Sequence, residues 1–112
     1  MKKSLFFICL TLALSSCSTS LYNWSKYQDA SYSYYKNQTE ESSEKLIKAY
    51  QTMIEKPTGI RKTVPPGIYA EYGYMLVNNG KVEEGISLLN KEIELYPESK
   101  TFVERIIRQF EK

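Results

Sequence analysis

The chain has 112 residues, with 15 Lys plus Arg against 13 Asp plus Glu and no histidine. That balance lacks the clustered basic footprint that nucleic acid requires. The missing histidine excludes Ser–His–Asp and Cys–His catalysis and most zinc sites.

The start of the chain is a leader. Lys2 and Lys3 precede an apolar run, residues 5–14, interrupted only by Thr11. A bilayer span needs about 20 apolar residues. A basic start, a short apolar run and small residues after it instead define a secretory signal peptide, residues 1–16. Leu14, Ser15, Ser16 and Cys17 resemble the lipobox of bacterial lipoproteins: an aliphatic residue, two small residues and an obligatory cysteine. The resemblance implies that the Cys17 sulfur takes a diacylglyceryl group through a thioether, and that cleavage leaves Cys17 as an acylated first residue. The alternative is an ordinary secreted protein with a free Cys17 thiol. Two or more acyl chains anchor a protein stably where one does not. Ser18 rather than aspartate follows the cysteine. By the same resemblance the expected destination is the outer membrane, lipid-anchored on the periplasmic face, with the inner membrane as the alternative.

Cleavage changes the composition. Lys2, Lys3 and Cys9 leave with the leader, so 13 basic residues face 13 acidic ones and Cys17 has no disulfide partner. The mature fold must then hold by packing alone. Residues 17–20 are the acylated cysteine and a short tether, and 21–112 form a single domain. At about 3.5 Å per residue, the domain sits within roughly 10–15 Å of its lipid. Tyr22, Trp24 and Tyr27 are placed to touch headgroups or, as we favour, to pack into the domain.

The remaining pattern is helical, with no alternation of period two. Residues 24–37 form a Tyr-rich first helix in which Tyr27, Tyr34 and Tyr35 share a face. Thr39 or Ser42 caps a second, whose stripe is Leu46, Ile47, Tyr50, Met53 and Ile54. Pro57 and Gly59 end it, and a basic loop with Arg61 and Lys62 follows. Val64, Pro65, Pro66 and Gly67 lead stiffly into a third helix that Asn79 and Gly80 stop. Residues 82–95 form a fourth helix with Ile86, Leu89 and Ile93 inward, ended by Tyr96 and Pro97. Ser99 starts a fifth, with Phe102, Val103, Ile106, Ile107 and Phe110 on its apolar face.

Residues 66–99 resemble one tetratricopeptide repeat. The repeat-packing positions are Tyr69, Tyr72, Gly73, Leu76, Gly85, Leu89 and Pro97, with Gly80 in the turn. Gly73 and Gly85 are the small residues that let two antiparallel helices pack closely, and Tyr69, Leu76 and Leu89 fill the space around them. Tyr72 replaces the usual leucine and Gly85 the usual alanine. Residues 24–57 make a weaker hairpin, whose Pro57 lies 40 positions before Pro97 rather than 34. The expected fold is therefore all-α: tetratricopeptide-like hairpins, about five helices, and a C-terminal capping helix. In such a hairpin the first helix lines a concave groove that takes a peptide segment of a partner. The resemblance places Glu71, Tyr74, Val77 and Asn78 there, joined by Arg105 and Arg108 from the last helix.

The mature chain is also similar to a family of small, uncharacterised Gram-negative lipoproteins. The similarity rests on LYNW, the Tyr-rich helix, PPGIYAEYGYML and ELYPES. Its members are typically encoded beside a lipoprotein resembling the curli-secretion pore and another small lipoprotein. That implies envelope lipoproteins as protein partners. No metal, cofactor or small-molecule substrate is expected. The adjacent pairs Glu40–Glu41 and Glu83–Glu84 sit at helix starts, where carboxylates favour the dipole rather than catalysis. The expected function is a non-enzymatic adaptor. The rivals are a peptidoglycan-acting protein using paired carboxylates and a purely structural lipoprotein. Two hairpins and a cap are near the lower limit for a repeat stack. A partner, a homo-oligomer contact or the N-terminal Tyr/Trp segment is expected to cover the exposed apolar face.

Overall fold

A computed structural model describes residues 20–111. The leader, Cys17 and most of the tether lie outside the described residues. Among the described residues the protein is all-α, with five α-helices: α1 Tyr27–Lys36, α2 Glu40–Glu55, α3 Ile68–Asn78, α4 Val82–Leu95 and α5 Lys100–Phe110. A 3₁₀ turn, Pro97–Ser99, links α4 to α5.

Local chemistry explains most boundaries. The first helix starts at Tyr27 rather than at Trp24. Ser25 has φ +49°, which a helix cannot contain, and its N–H donates to Asn23 Oδ1 at 2.9 Å. Both candidate caps of α2 act together. Ser42 N–H donates to Thr39 Oγ1 at 3.1 Å and Thr39 N–H to Ser42 Oγ at 3.0 Å, a reciprocal capping box. Gly80, at φ +89°, closes the tight α3–α4 turn in the left-handed region that glycine enters without a Cβ penalty. Pro97 is exposed and opens the 3₁₀ turn. It stops a helix rather than packing in the repeat.

Two apolar clusters form the core. The larger joins α1, α2 and α3 through Ala30, Leu46, Tyr50, Met53, Ile68 and Tyr72. The smaller joins α3, α4 and α5 through Val77, Leu89, Val103 and Ile107. Trp24 and Tyr27 pack against the first cluster, so the N-terminal segment covers that side of the domain. Their rings continue a chain of contacts from Tyr22 through Trp24, Tyr27 and Tyr50 to Tyr72, with centroids 5.4–6.3 Å apart. Such pairs contribute about 0.5–1.5 kcal/mol each beyond buried area. Tyr72 therefore packs at the α2–α3 contact, stacked on Tyr50. Tyr69 is half-buried, packs on the larger cluster and receives the Lys91 ammonium 5.9 Å from its ring centre.

The α3–α4 hairpin is antiparallel: Gly73 meets Gly85 and Leu89, and Val77, further along α3, meets Gly85. A Cβ on Gly73 would stand 2.7 Å from the Gly85 carbonyl oxygen, and one on Gly85 would stand 2.5 Å from the Gly73 carbonyl oxygen. Leu89 and Leu76 are buried around this crossing.

A buried carboxylate holds the hairpin's other end. Gly67, the residue before α3, has no side chain to cap the helix. Glu92 of α4, only 3% exposed, supplies the cap: its Oε1 accepts from Gly67 N–H at 2.6 Å. Its Oε2 is buried without a partner among the described residues. Burial raises the carboxyl pKa, and the Gly67 N–H partly opposes that. The Tyr96 hydroxyl donates to the Val64 carbonyl at 2.6 Å, tying the same end to the loop before α3.

Candidate interaction groove

An open cleft of about 360 Å³ lies between α3 and α5, lined by Ala70, Glu71, Tyr74, Phe102, Ile106 and Gln109. Spacing explains who lines it. On α5, Phe102, Ile106 and Gln109 recur at i, i+4 and i+7 and share one face. Val103 and Ile107 lie on the adjacent face and enter the core. Phe102, on the apolar face expected of this helix, is 64% exposed, because its stripe faces the cleft rather than α4. On α3, Ala70, Glu71 and Tyr74 occupy neighbouring turns, and Tyr74 stays 45% exposed with its ring edge-on to Phe110 at 6.2 Å.

Glu71 is held in place. Its Oε2 accepts from the Tyr27 hydroxyl at 2.6 Å and from the Tyr50 hydroxyl at 3.1 Å. Burial, followed by the nearby carboxylate, pushes both tyrosine pKa values well above the usual phenol range. Both hydroxyls therefore stay protonated and keep donating at any physiological pH. Tyr35, on the outer turn of α1, is also raised, by burial first and then by Glu71. The carboxylate thus sits beside tyrosines from α1 and α2 at the margin of an apolar cleft.

The structure sorts the candidate residues. Glu71 and Tyr74 lie in the cleft wall. Asn78 is exposed on the same stripe of α3, one turn beyond Tyr74. Arg105 is exposed and flanks the Phe102–Gln109 stripe as its rim. Arg108 is exposed but falls on the far side of α5 from the cleft residues, so it does not join them. Val77 is a correction: it is 4% exposed and packs into the second cluster against Gly85 and α5. Its position on α3 turns toward the hairpin partner, and no groove ligand reaches it. Ala70 and Gln109 were missed, as were the tyrosine hydroxyls that clamp Glu71. No local pattern marks those tyrosines, since their hydroxyls converge only through the packing of α1 and α2 on α3. Among the described residues there is no group of three metal-ligating side chains and no helix long and apolar enough to cross a membrane.

A small helical domain carried behind a lipid-attachment cysteine defines a membrane lipoprotein. Residues 1–18 match the prokaryotic membrane lipoprotein lipid attachment site. Residues 21–106 match the family described as Domain of unknown function (DUF4810), and the chain belongs to that family. No curated protein and no solved structure is significantly similar to it.

Proposed function

We propose that this lipoprotein is a non-catalytic adaptor: a tetratricopeptide-like module, anchored at the outer membrane on the periplasmic face, that holds a peptide segment of another envelope lipoprotein. The observation that carries this reading is the open cleft in which Tyr74, Phe102 and Ile106 leave apolar surface uncovered beside a fixed carboxylate. Exposed aromatic residues at the centre of a concave patch are the usual anchors of a protein interface. The close Gly73–Gly85 crossing of α3 on α4 supports the repeat reading. Among the described residues Glu71 is the one carboxylate lining the cleft, where glycan hydrolysis calls for two opposed carboxylates.

Crosslinking in the native envelope, followed by purification of the chain, tests the reading. A partner protein is expected with the natural chain and is lost with Tyr74→Ala and Phe102→Ala. Each truncation of a central anchor costs about 1–2 kcal/mol of binding or more. Identical capture by both variants overturns the groove. Turnover of purified sacculi by the natural chain would favour the peptidoglycan-acting reading instead.

A further inference from the structure

The attachment site tells where the chain is tethered, and the structure shows what the tether draws to the bilayer. The first described residues do not run free. Ile60 N–H donates to the Ser20 carbonyl at 3.2 Å and Arg61 N–H to the Leu21 carbonyl at 3.0 Å, so the 20–21 strip is zipped to the loop after α2. Gly59 permits that closeness: it sits at φ +86°, and a Cβ there would stand 2.8 Å from the Leu21 carbonyl oxygen. Arg61 lies over the Tyr22 ring, 6.0 Å from its centre. Cys17 is three residues before Ser20, a reach of at most about 10 Å, only a few ångströms more than the roughly 5–8 Å headgroup layer of one leaflet. The zipped edge is therefore confined to the depth of the headgroups or just above them.

The chemistry of this edge suits that depth. Leu21 is 51% exposed and Ile60 58% exposed, two large apolar residues on the two paired backbone segments. Around them the 56–63 segment carries Lys56, Arg61 and Lys62 and no acidic residue. Among the described residues none of these three forms an ion pair. The mature chain is neutral, so this is a local concentration of positive charge rather than a property of the whole.

We propose that this edge is a bilayer-docking surface. Leu21 and Ile60 lie among the headgroups, and Arg61 and Lys62 lie against lipid phosphates. The domain then stands on the membrane in one orientation rather than swinging on its tether. The inference rests on acylation of Cys17 and is independent of what the α3–α5 cleft holds.

The test uses the purified acylated protein in vesicles of phosphatidylethanolamine and phosphatidylglycerol. Acylation blocks the Cys17 sulfur, so one introduced thiol takes an environment-sensitive fluorophore. Thr58→Cys reports on the docking edge without altering its apolar or basic residues, and Asn90→Cys on exposed α4 is the reference. Headgroup-nitroxide lipids are expected to quench the label at position 58 several-fold more than the label at 90. Arg61→Glu with Lys62→Glu abolishes the difference. Each cation near an anionic surface is worth about fivefold, so the docked-to-free ratio falls at least about 25-fold. Vesicles without phosphatidylglycerol lower it in the same direction. Equal quenching at 58 and 90 in protein whose mass confirms the acyl chains overturns the docking surface alone. An unacylated mass overturns the anchor, and docking with it.

Discussion

Gly85→Ala adds one methyl group at the tightest point of the fold, and two effects of opposite sign compete there. In a helix interior alanine is favoured over glycine by about 1 kcal/mol. Against that, the new Cβ would stand 2.5 Å from the Gly73 carbonyl oxygen and 2.9 Å from the Val77 nitrogen. Both are backbone atoms of α3, so no rotamer change relieves the contact and the helices must separate. Separation unpacks Leu89 and Val77, which close the second cluster. Overpacking of this kind costs about 1–3 kcal/mol, and loosening the cluster adds to it. The net expectation is a loss of about 1–2 kcal/mol. For a domain of this size that lowers Tm by about 4–15 °C. Circular dichroism melts of the acylated protein in detergent measure it, with Asn90→Ala on the exposed face of α4 as the control for propensity alone. The control is expected to melt slightly higher than the natural chain. If Gly85→Ala also melts higher, the crossing has room for a Cβ and the packing argument fails. Gly73→Ala should behave alike, and the two should not add, because both crowd the same approach and one separation of the helices accommodates both.

Glu92 gives a pH-dependent expectation. Its folded pKa lies above its unfolded one, so its contribution to stability is fully present below the unfolded value, about 4.3, and is lost as pH rises through the folded value. Glu92→Gln keeps an acceptor for the Gly67 N–H and cannot ionise. Its stability relative to the natural chain should therefore rise between pH 4 and pH 7; urea unfolding that shows the opposite trend would refute the assignment. Cys17→Ser removes the attachment atom: the variant is expected to take up no labelled palmitate and to leave the membrane fraction. Continued processing and membrane retention would contradict lipid anchoring.

Much of the fold is legible in short-range chemistry. The bounds of α4, residues 82–95, follow from a turn with glycine before it and Tyr96–Pro97 after it. Thr39 and Ser42 are readable as caps because capping is a contact between residues three apart. Leu46, Tyr50 and Met53 are readable as core because their spacing puts them on one helix face. What the local pattern leaves open has a different origin. Phe102 and Val77 are both apolar and periodic, and only the packing of neighbouring helices decides that the first stays open while the second is sealed. Glu92 occupies the inward face of α4 between Leu89 and Ile93, which is the one hint the sequence offers that a carboxylate is buried. Its partner, the Gly67 N–H, lies 25 residues away.

The same division holds for what this protein can do. By itself the sequence determined the lipid-attachment site, the helical class and the two glycines of a close crossing, because each is written in adjacent residues or in helical periodicity. Only the tertiary structure decided that tyrosines of α1 and α2 clamp Glu71, that the α3–α5 cleft stays open, and that the 20–21 strip is zipped to a basic loop. Those features join residues 21 to 44 positions apart in the chain. Such contacts depend on how the helices stack, and no local pattern carries that information.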